Sequence, residues 1–413
     1  MTLTNALIGR RLKEAREASG LTQETAAEVV GVPRAAIAHI EAGNRSVSTL
    51  ELHEFSKLYR RPIEWFLSAT PEEDDTLLAI LYRDALGLAG DPRAKADVER
   101  YLDICREGMF LEQLLDGTTR AAIPYYEIPS PTSAAEAAEQ GELIAAQERD
   151  RLALGDAPIS DLPDLLLSQG IWAATAELPE TLSGVFFNDR SVGMAILVRW
   201  VEAYARQRFS FAHEFAHALL DKNQRVTVTL AESASTDYVE TRANAFAAAL
   251  LLPAGGVRTL LSKLDKGAPA RRETPVYQPA TEKAIEANRR AIAGSQELTY
   301  RDVAILAHHF GVSYPAAAYR LRGLDIVTRP KLDALLKDSE SGRLYLSIIG
   351  LEPRQSASRL RGMPEELTGR VAHLALEAHR RGKISRGRLL DVCEKLGIKG
   401  KELLSLPEPT KAA

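Results

Sequence analysis

The 413-residue chain predicts a mainly α, multidomain protein: an all-α domain at the N-terminus, an α+β domain with a small sheet in the middle, and a helical domain at the C-terminus. Three observations carry this. Apolar residues recur at helical spacing over residues 7–67 and again from Leu298 to about Leu406. Short β-prone runs lie between Gly170 and Val198, and Pro/Gly-rich or charged stretches separate the regions. With 45% hydrophobic residues, a chain of this length can bury several cores.

Residues 1–68 form the first domain. Their helical pattern is broken at Gly20, at Gly31-Val32-Pro33 and at Gly43-Asn44, which divides it into about four or five helices of one to three turns. A Pro/Glu/Asp cluster from Pro71 to Asp75 opens a helical spacer over residues 69–133, with aliphatics at helical spacing from Leu77 to Leu115. Pro124, Pro129 and Pro131 then mark the entry to a domain over residues 134–262.

That domain starts on an Ala/Glu-rich helix running toward Leu154. Three strands follow, at Gly170-Ile-Trp-Ala, Gly184-Val-Phe-Phe-Asn188 and Gly193-Met-Ala-Ile-Leu-Val198. A long helix is expected from about Val201 to Asp221 and a second from about Thr236 to Leu252, where Pro253 stops it. Residues 263–297 are charged and broken by Gly-Ala-Pro-Ala and Thr-Pro, as in a loop, linker or inserted helix.

Residues 298–413 return to helical spacing. Leu298-Thr-Tyr with Gly311-Val312-Ser313 echoes Leu21-Thr-Gln with Gly31-Val32-Pro33. Two readings stand side by side there: a second helix-turn-helix, or a scaffold using the same capping chemistry. The basic run His379 to Arg388 fits a helix stop at Gly382 and a new cap at Ser385.

A net charge of -4 with 26% charged residues gives no global attraction to nucleic acid or membrane, so any DNA binding must be local. The two cysteines, Cys105 and Cys393, lie far apart in helical patterns, which excludes a disulfide framework. No run of about 18 apolar residues occurs, and the protein is expected to be cytoplasmic with no membrane partner.

The chemistry concentrates in Ala212-His213-Glu214-Phe215-Ala216-His217. Histidines at i and i+4 project from one face of a helix, where two imidazoles can hold one zinc ion (Zn2+). Glu214 sits about 100° round from His213, near enough to reach a water on the metal without being a ligand, as a general base must. Zinc brings the pKa of such a water to about 7 and polarises a peptide carbonyl. A catalytic zinc commonly takes a third protein ligand, and Glu240, near the start of the next helix, is the candidate. Glu232 and Asp237 are rivals, the first in a looser Ala/Ser/Thr stretch and the second where a helix cap belongs. Asn244, one turn after Glu240, could hydrogen-bond a ligand from behind. The segment from Phe209 to Leu220 carries polar groups only at Ser210, His213, Glu214 and His217, and two histidines and a glutamate on a buried helix need a reason to be there.

The run from Arg206 to Leu220, together with Glu240-Thr-Arg-Ala-Asn-Ala-Phe-Ala-Ala-Ala-Leu-Leu-Leu-Pro253, resembles the ImmA/IrrE family of zinc metallopeptidases over about 120 residues. The resemblance implies a zincin-like peptidase domain, with Glu240 in the family's Glu-x-x-Ala-Asn signature as third ligand. It also implies a metalloendopeptidase with a narrow substrate range, cleaving a helix-turn-helix repressor or a toxin-antitoxin partner to control stress, mobile-element or phage-defence genes. Phe215-Ala216 stands where the family more often has Leu-Gly.

Gly9-Arg-Arg-Leu-Lys-Glu-Ala-Arg, Gly20-Leu-Thr-Gln-Glu-Thr-Ala-Ala and Pro33 to Gly43 resemble the phage-repressor (XRE or Cro-like) helix-turn-helix over about 60 residues. That resemblance implies binding to double-stranded operator DNA. Thr22 caps the second helix and sets Gln23 to meet a phosphate, while a recognition helix from Pro33 to about Glu41 turns Arg34, Ala35 and His39 toward base edges. Arg34 suits guanine, and Ala35 can touch only a thymine methyl. Arg10, Arg16 and Arg45 are phosphate candidates. Residues 1–61 hold nine Lys/Arg against seven Asp/Glu, so binding is expected to be weak and to depend on a homodimer. The alternative function is a transcriptional regulator or antitoxin-like binding protein whose zinc domain is a sensor or interaction module. Self-cleavage near Pro71 or Pro129 is a third.

Overall fold

The computed structural model describes residues 4–19, 21–59, 63–67, 91–115, 123–189, 192–200, 202–221, 226–230, 237–266, 271–278, 283–290, 296–351 and 365–400. Contacts divide the chain into two compact units, Met1–Leu78 and Ala79–Ala413.

In the first unit the helices are α1 (Asn5–Ala18), α2 (Gln23–Val30), α3 (Arg34–Glu41), α4 (Thr49–Tyr59) and α5 (Ile63–Leu67). Their ends follow the turn chemistry of the sequence. The Thr22 hydroxyl accepts from the Thr25 amide at the start of α2, and Gly31 at φ 76° ends it in the left-handed region. Pro33 then leads into α3 with its backbone extended. Ile8, Leu12, Ala27, Ile37, Ile40, Leu52, Phe55 and Phe66 fill the core. Gly9 lets α1 approach the backbone of α3, since a methyl there would collide with the Ile40 carbonyl. Arg11, fully buried, spends its guanidinium on the carbonyls of Trp65 and Phe66 at 3.0 and 3.1 Å.

The second unit begins among the described residues with α6 (Pro92–Leu114), then α7 (Ala134–Arg151) and α8 (Leu162–Ser168). A four-stranded sheet follows from β1 (Trp172–Ala176), β2 (Leu182–Asp189), β3 (Gly193–Arg199) and β4 (Val226–Leu230), in the order β1-β3-β2-β4. β1 runs parallel to β3, and β2 runs antiparallel to both β3 and β4. Between β3 and β4 lies α9 (Tyr204–Leu220); after β4 come α10 (Tyr238–Leu251) and α11 (Ala254–Lys263). The sequence anticipated three of the four strands and both long helices, while β4 went unread.

Both faces of the sheet are buried. Ala173, Phe186, Ile196 and Val198 enter the core with Phe211, Phe215 and Phe246. Their chain neighbours Trp172, Val185, Phe187 and Leu197, equally buried, occupy the other face by strand alternation, where Trp172 closes on Gly108 of α6. α6 is therefore no spacer. The Tyr101 hydroxyl on α6 donates within hydrogen-bond distance of two strand carbonyls, Trp172 at 2.8 Å and Ile196 at 2.9 Å. The expected helices from Leu77 to Gly90 lie outside the described residues.

Within residues 263–297, expected as a loop, linker or inserted helix, two strands pair instead: β5 (Arg271–Gln278) runs antiparallel to β6 (Lys283–Arg290). Charged residues with Pro275 and Pro279 give little apolar alternation, so the strand period was not legible there. The C-terminal helices are α12 (Tyr300–Phe310), α13 (Tyr314–Gly323), α14 (Arg329–Lys337), α15 (Ser339–Ile348), α16 (Glu365–Arg380) and α17 (Arg386–Leu396). α12, α13 and α14 do not build a core of their own, whereas α16 packs against α6. Val303, Leu306, Phe310, Ala317 and Leu321 share the core of the sheet and α9.

The internal echo is real as geometry: α12 ends at Gly311 with φ 66°, and α13 starts on the Ser313 cap. However, Arg320 of α13 is buried and committed to the Leu252 carbonyl at 3.0 Å and to Glu142 at 2.6 Å. Arg320 is thus spent within this unit. Among the described residues no single helix is long and apolar enough to cross a membrane; only α10 with α11 passes such a test as a pair bent by 43°.

Tyr101→Phe removes a buried hydroxyl that ties α6 to the sheet, and it is expected to cost about 1–3 kcal/mol with little change of fold. A urea unfolding curve with an unchanged midpoint would show that the α6 contact is not holding the sheet.

Candidate metal centre and nucleic-acid face

His213 and His217 lie one turn apart on α9 and are both nearly fully buried. Their Nε2 atoms approach to 3.2 Å. Glu240, in the first turn of α10, reaches the same point, its carboxylate lying 3.1 Å from His213 Nε2 and 3.4 Å from His217 Nε2. One ligand atom from each of the three residues lies within 4.8 Å of the others. α9 and α10 pack side by side, and Phe215 meets Phe246 edge to face at 5.8 Å, so apolar faces bring the polar residues together.

The far nitrogens of the rings are occupied. His213 Nδ1 faces Asn244 Oδ1 at 3.1 Å, and His217 Nδ1 faces Asp221 Oδ2 at 2.8 Å. When Nδ1 donates, Nε2 keeps its lone pair, and both lone pairs then face Glu240. Asp221 is itself held by Arg242 of α10, whose guanidinium donates to Oδ1 at 2.8 Å. Two imidazoles and one carboxylate, each backed by a hydrogen bond, are a donor set that fits zinc.

Glu214 has no exposed surface, and neither carboxylate oxygen has a hydrogen-bond partner among the described residues. It sits under Gly184 of β2, where a methyl would collide with Oε1, and faces the Thr229 side chain of β4, whose hydroxyl is also without a bond. Burial drives its pKa up, against the pull of the two histidines. An orphaned buried carboxylate beside a convergent ligand set fits a metal-bound group waiting to be met.

Without metal, the cluster holds a proton. Burial alone would lower the pKa of His217, but hydrogen bonds to Asp221 and Glu240 push it up to about 10. Burial would raise Glu240, yet its bonds to both histidines hold it far below the usual carboxylate range.

The structure brings together His213, His217, Glu240, Glu214 and Asn244 from the sequence reading. Asp237 is the helix cap, accepting from the Val239 amide at 2.8 Å, and Glu232 lies outside the described residues. Asp221, Arg242 and Gly184 were missed. The signal for Asp221 was present: it stands four residues after His217, the spacing that pairs the two histidines.

On the first unit, Arg34, Ala35 and His39 are all exposed along α3. Arg34 lies 3.7 Å from Glu24, and Arg45 pairs with Glu51 at 2.7 Å. Gln23 is half-buried at the start of α2, and its side-chain amide donates to Glu41 at 2.8 Å. Arg16 is likewise buried on Glu41, at 2.7 Å, and is no phosphate contact. The reason is shared: a buried carboxylate needs partners, and these two side chains supply them. Arg10 remains exposed, 3.8 Å from Glu14.

Comparison with known families assigns both regions. Residues 12–66 match the helix-turn-helix family model, and residues 168–268 match the IrrE N-terminal-like domain, a peptidase family. The chain combines a helix-turn-helix domain with an IrrE N-terminal-like domain. The second match covers β1 to β4, α9 and α10, and so every residue of the metal cluster. A comparison with curated proteins gives no match. Among solved structures, the crystal structure of Bacillus thuringiensis PlcR in complex with the peptide PapR7 and DNA is similar at 11% identity and a TM-score of 0.17, over 97% of this chain and 95% of that one. A likeness at that score carries no argument.

The raised His217 sets a pH dependence for the metal-free protein. A group whose folded pKa exceeds its unfolded value stabilises fully below the unfolded value, near 6.5, and loses that contribution as pH rises toward about 10. With a chelator present, the urea midpoint is expected to fall between those limits; a midpoint that rises over the same window contradicts the protonated cluster.

Proposed function

We propose that the chain is a DNA-binding zinc metalloendopeptidase of the cytoplasm that cleaves one specific protein, a helix-turn-helix repressor or a toxin-antitoxin partner, to control a stress, mobile-element or phage-defence response. The observation that carries this reading is the convergence of His213, His217 and Glu240 on one point, with the unpartnered carboxylate of Glu214 buried beside it. His213, His217 and Glu240 would hold the metal, and Asn244 orients His213 through Nδ1. Bound zinc supplies the Lewis acidity that polarises a peptide carbonyl and makes water acidic near neutral pH.

Glu214 takes a proton from the attacking water on a carboxylate oxygen and delivers it to the departing amine. Burial raises its pKa, which makes the carboxylate a stronger base toward water than an exposed glutamate would be. The closed surroundings of α9 keep bulk water from the carboxylate. We assign residues 134–262 as the catalytic region on this basis.

In the first unit, Arg34, Ala35 and His39 face base edges and Arg45 a phosphate of operator DNA, with a homodimer supplying the second half-site. Arg34 and Arg45 must leave Glu24 and Glu51 to do so. Arg34 with Glu24 is an exposed, weak pair with which phosphate competes easily, whereas Arg45 is held more closely by the largely buried Glu51. DNA binding then brings the peptidase to a repressor seated on the same operator.

Glu214→Gln is expected to keep zinc and DNA binding while slowing cleavage of the partner by about 10²–10⁴-fold. Metal analysis beside a cleavage assay on purified candidate repressors checks both, and a variant that cleaves at the wild-type rate removes Glu214 from the chemistry. If Glu214→Gln also leaves derepression intact, the zinc domain is a sensor or interaction module. Arg34→Ala should weaken operator binding by about 1–3 kcal/mol and relax selectivity at one base position, read by gel shift at fixed salt. Equal affinity for both proteins would mean that α3 does not read DNA through Arg34.

A further inference from the structure

We propose that Asp221 and Arg242 form a charged chain behind His217 that makes this ring the anchoring ligand of the metal site; the inference rests on the metal reading above. Asp221 follows α9 directly, one turn beyond His217, and receives its Nδ1 at 2.8 Å. The other carboxylate oxygen accepts from Arg242 at 2.8 Å. Arg242 sits on α10 two residues after Glu240, with its side chain only 4% exposed. One helix therefore supplies a ligand and the cation that steers the opposite ligand. Its backbone is fixed too: a methyl at Gly141 of α7 would strike the Arg242 carbonyl, so α7 and α10 close on each other there.

The two histidines are supported unequally. His213 rests on the neutral amide oxygen of Asn244 at 3.1 Å, whereas His217 rests on a carboxylate that a guanidinium holds in place. A charge-assisted bond is shorter and about twice as strong as a neutral one, and it makes the ring a better electron donor at Nε2. The planar guanidinium of Arg242 holds the Asp221 carboxylate in orientation toward His217. Asparagine at 221 cannot replace the carboxylate, because its oxygen can serve His217 only while its amide faces the donors of Arg242. Asp221 and Arg242 are positioning residues.

The test uses the full chain and measures zinc affinity by competition with a chromophoric chelator, with circular dichroism to check the fold. Asp221→Ala is expected to weaken zinc by about 10–100-fold, Asp221→Asn by nearly as much, and Asn244→Ala by less. Arg242→Ala should weaken zinc in the wild-type background and add little once Asp221 is already alanine, since the two act as one chain. A loss at Asp221 no greater than at Asn244, or fully additive losses at Asp221 and Arg242, overturns the proposal. Should Asp221→Ala fail to fold, nitrogen-labelled histidine in the zinc-loaded wild type decides: the Nδ1 proton of His217 should resonate well downfield of that of His213, and equal shifts overturn it. A wild type that binds no zinc takes the metal reading down with this one, whereas tight binding with unaffected variants removes the chain alone.

Discussion

The second unit depends on how α9 satisfies the polar groups it buries. From Gln207 to Leu220 every position except Phe209 is buried, and Gln207, Arg208, Ser210, His213, Glu214 and His217 carry polar atoms into the core. Each unpaired group would cost about 1–3 kcal/mol or more, so the helix can stay only where neighbours answer it. Arg208 turns to the carbonyls of Ile159 and Phe310, Gln207 to those of Trp200 and Glu202, and the two histidines to α10 and Asp221. The Arg208 contact reaches the end of α12, which is one reason the C-terminal helices belong to this core and do not stand apart.

The helix-turn-helix unit solves the same problem with one carboxylate. Glu41 closes α3 and is buried, and Arg16 from α1 and Gln23 from α2 converge on it. This ties three helices at the turn that orients α3. It also takes Arg16 out of contention for DNA. Fold and binding draw here on the same side chains, and the fold has first claim on those that are buried.

How far the sequence could be read follows from where each signal is local. The spacing of His213 and His217, the caps at Thr22, Asp237 and Ser385, and the stop at Pro253 are set within one or two turns, and they stand where the pattern put them. β4 escaped because Val-Thr-Val-Thr-Leu is a short edge strand whose single partner, β2, lies more than thirty residues earlier. Arg16 looked like a phosphate candidate, and only the tertiary approach of Glu41 shows that it is committed. The region around α6 looked like a spacer because amphipathic spacing does not say which surface a helix covers; the sheet face carrying Trp172 does.

Glu214 departs from this logic with both of its polar atoms. Its neighbours leave it without a bond, Gly184 gives up a side chain to make room for it, and burial works against its charge. A leucine there would pack the same space without a polar cost, so stability alone does not account for a carboxylate. Natural chains break local rules of this kind mainly at functional sites. The three ligands could be a structural cluster and the apolar faces of α9 and α10 would pack as well, but a structural cluster has no use for an unpaired acid one residue from a ligand. The case for chemistry therefore turns more on the group that lacks a partner than on the three that have found one another.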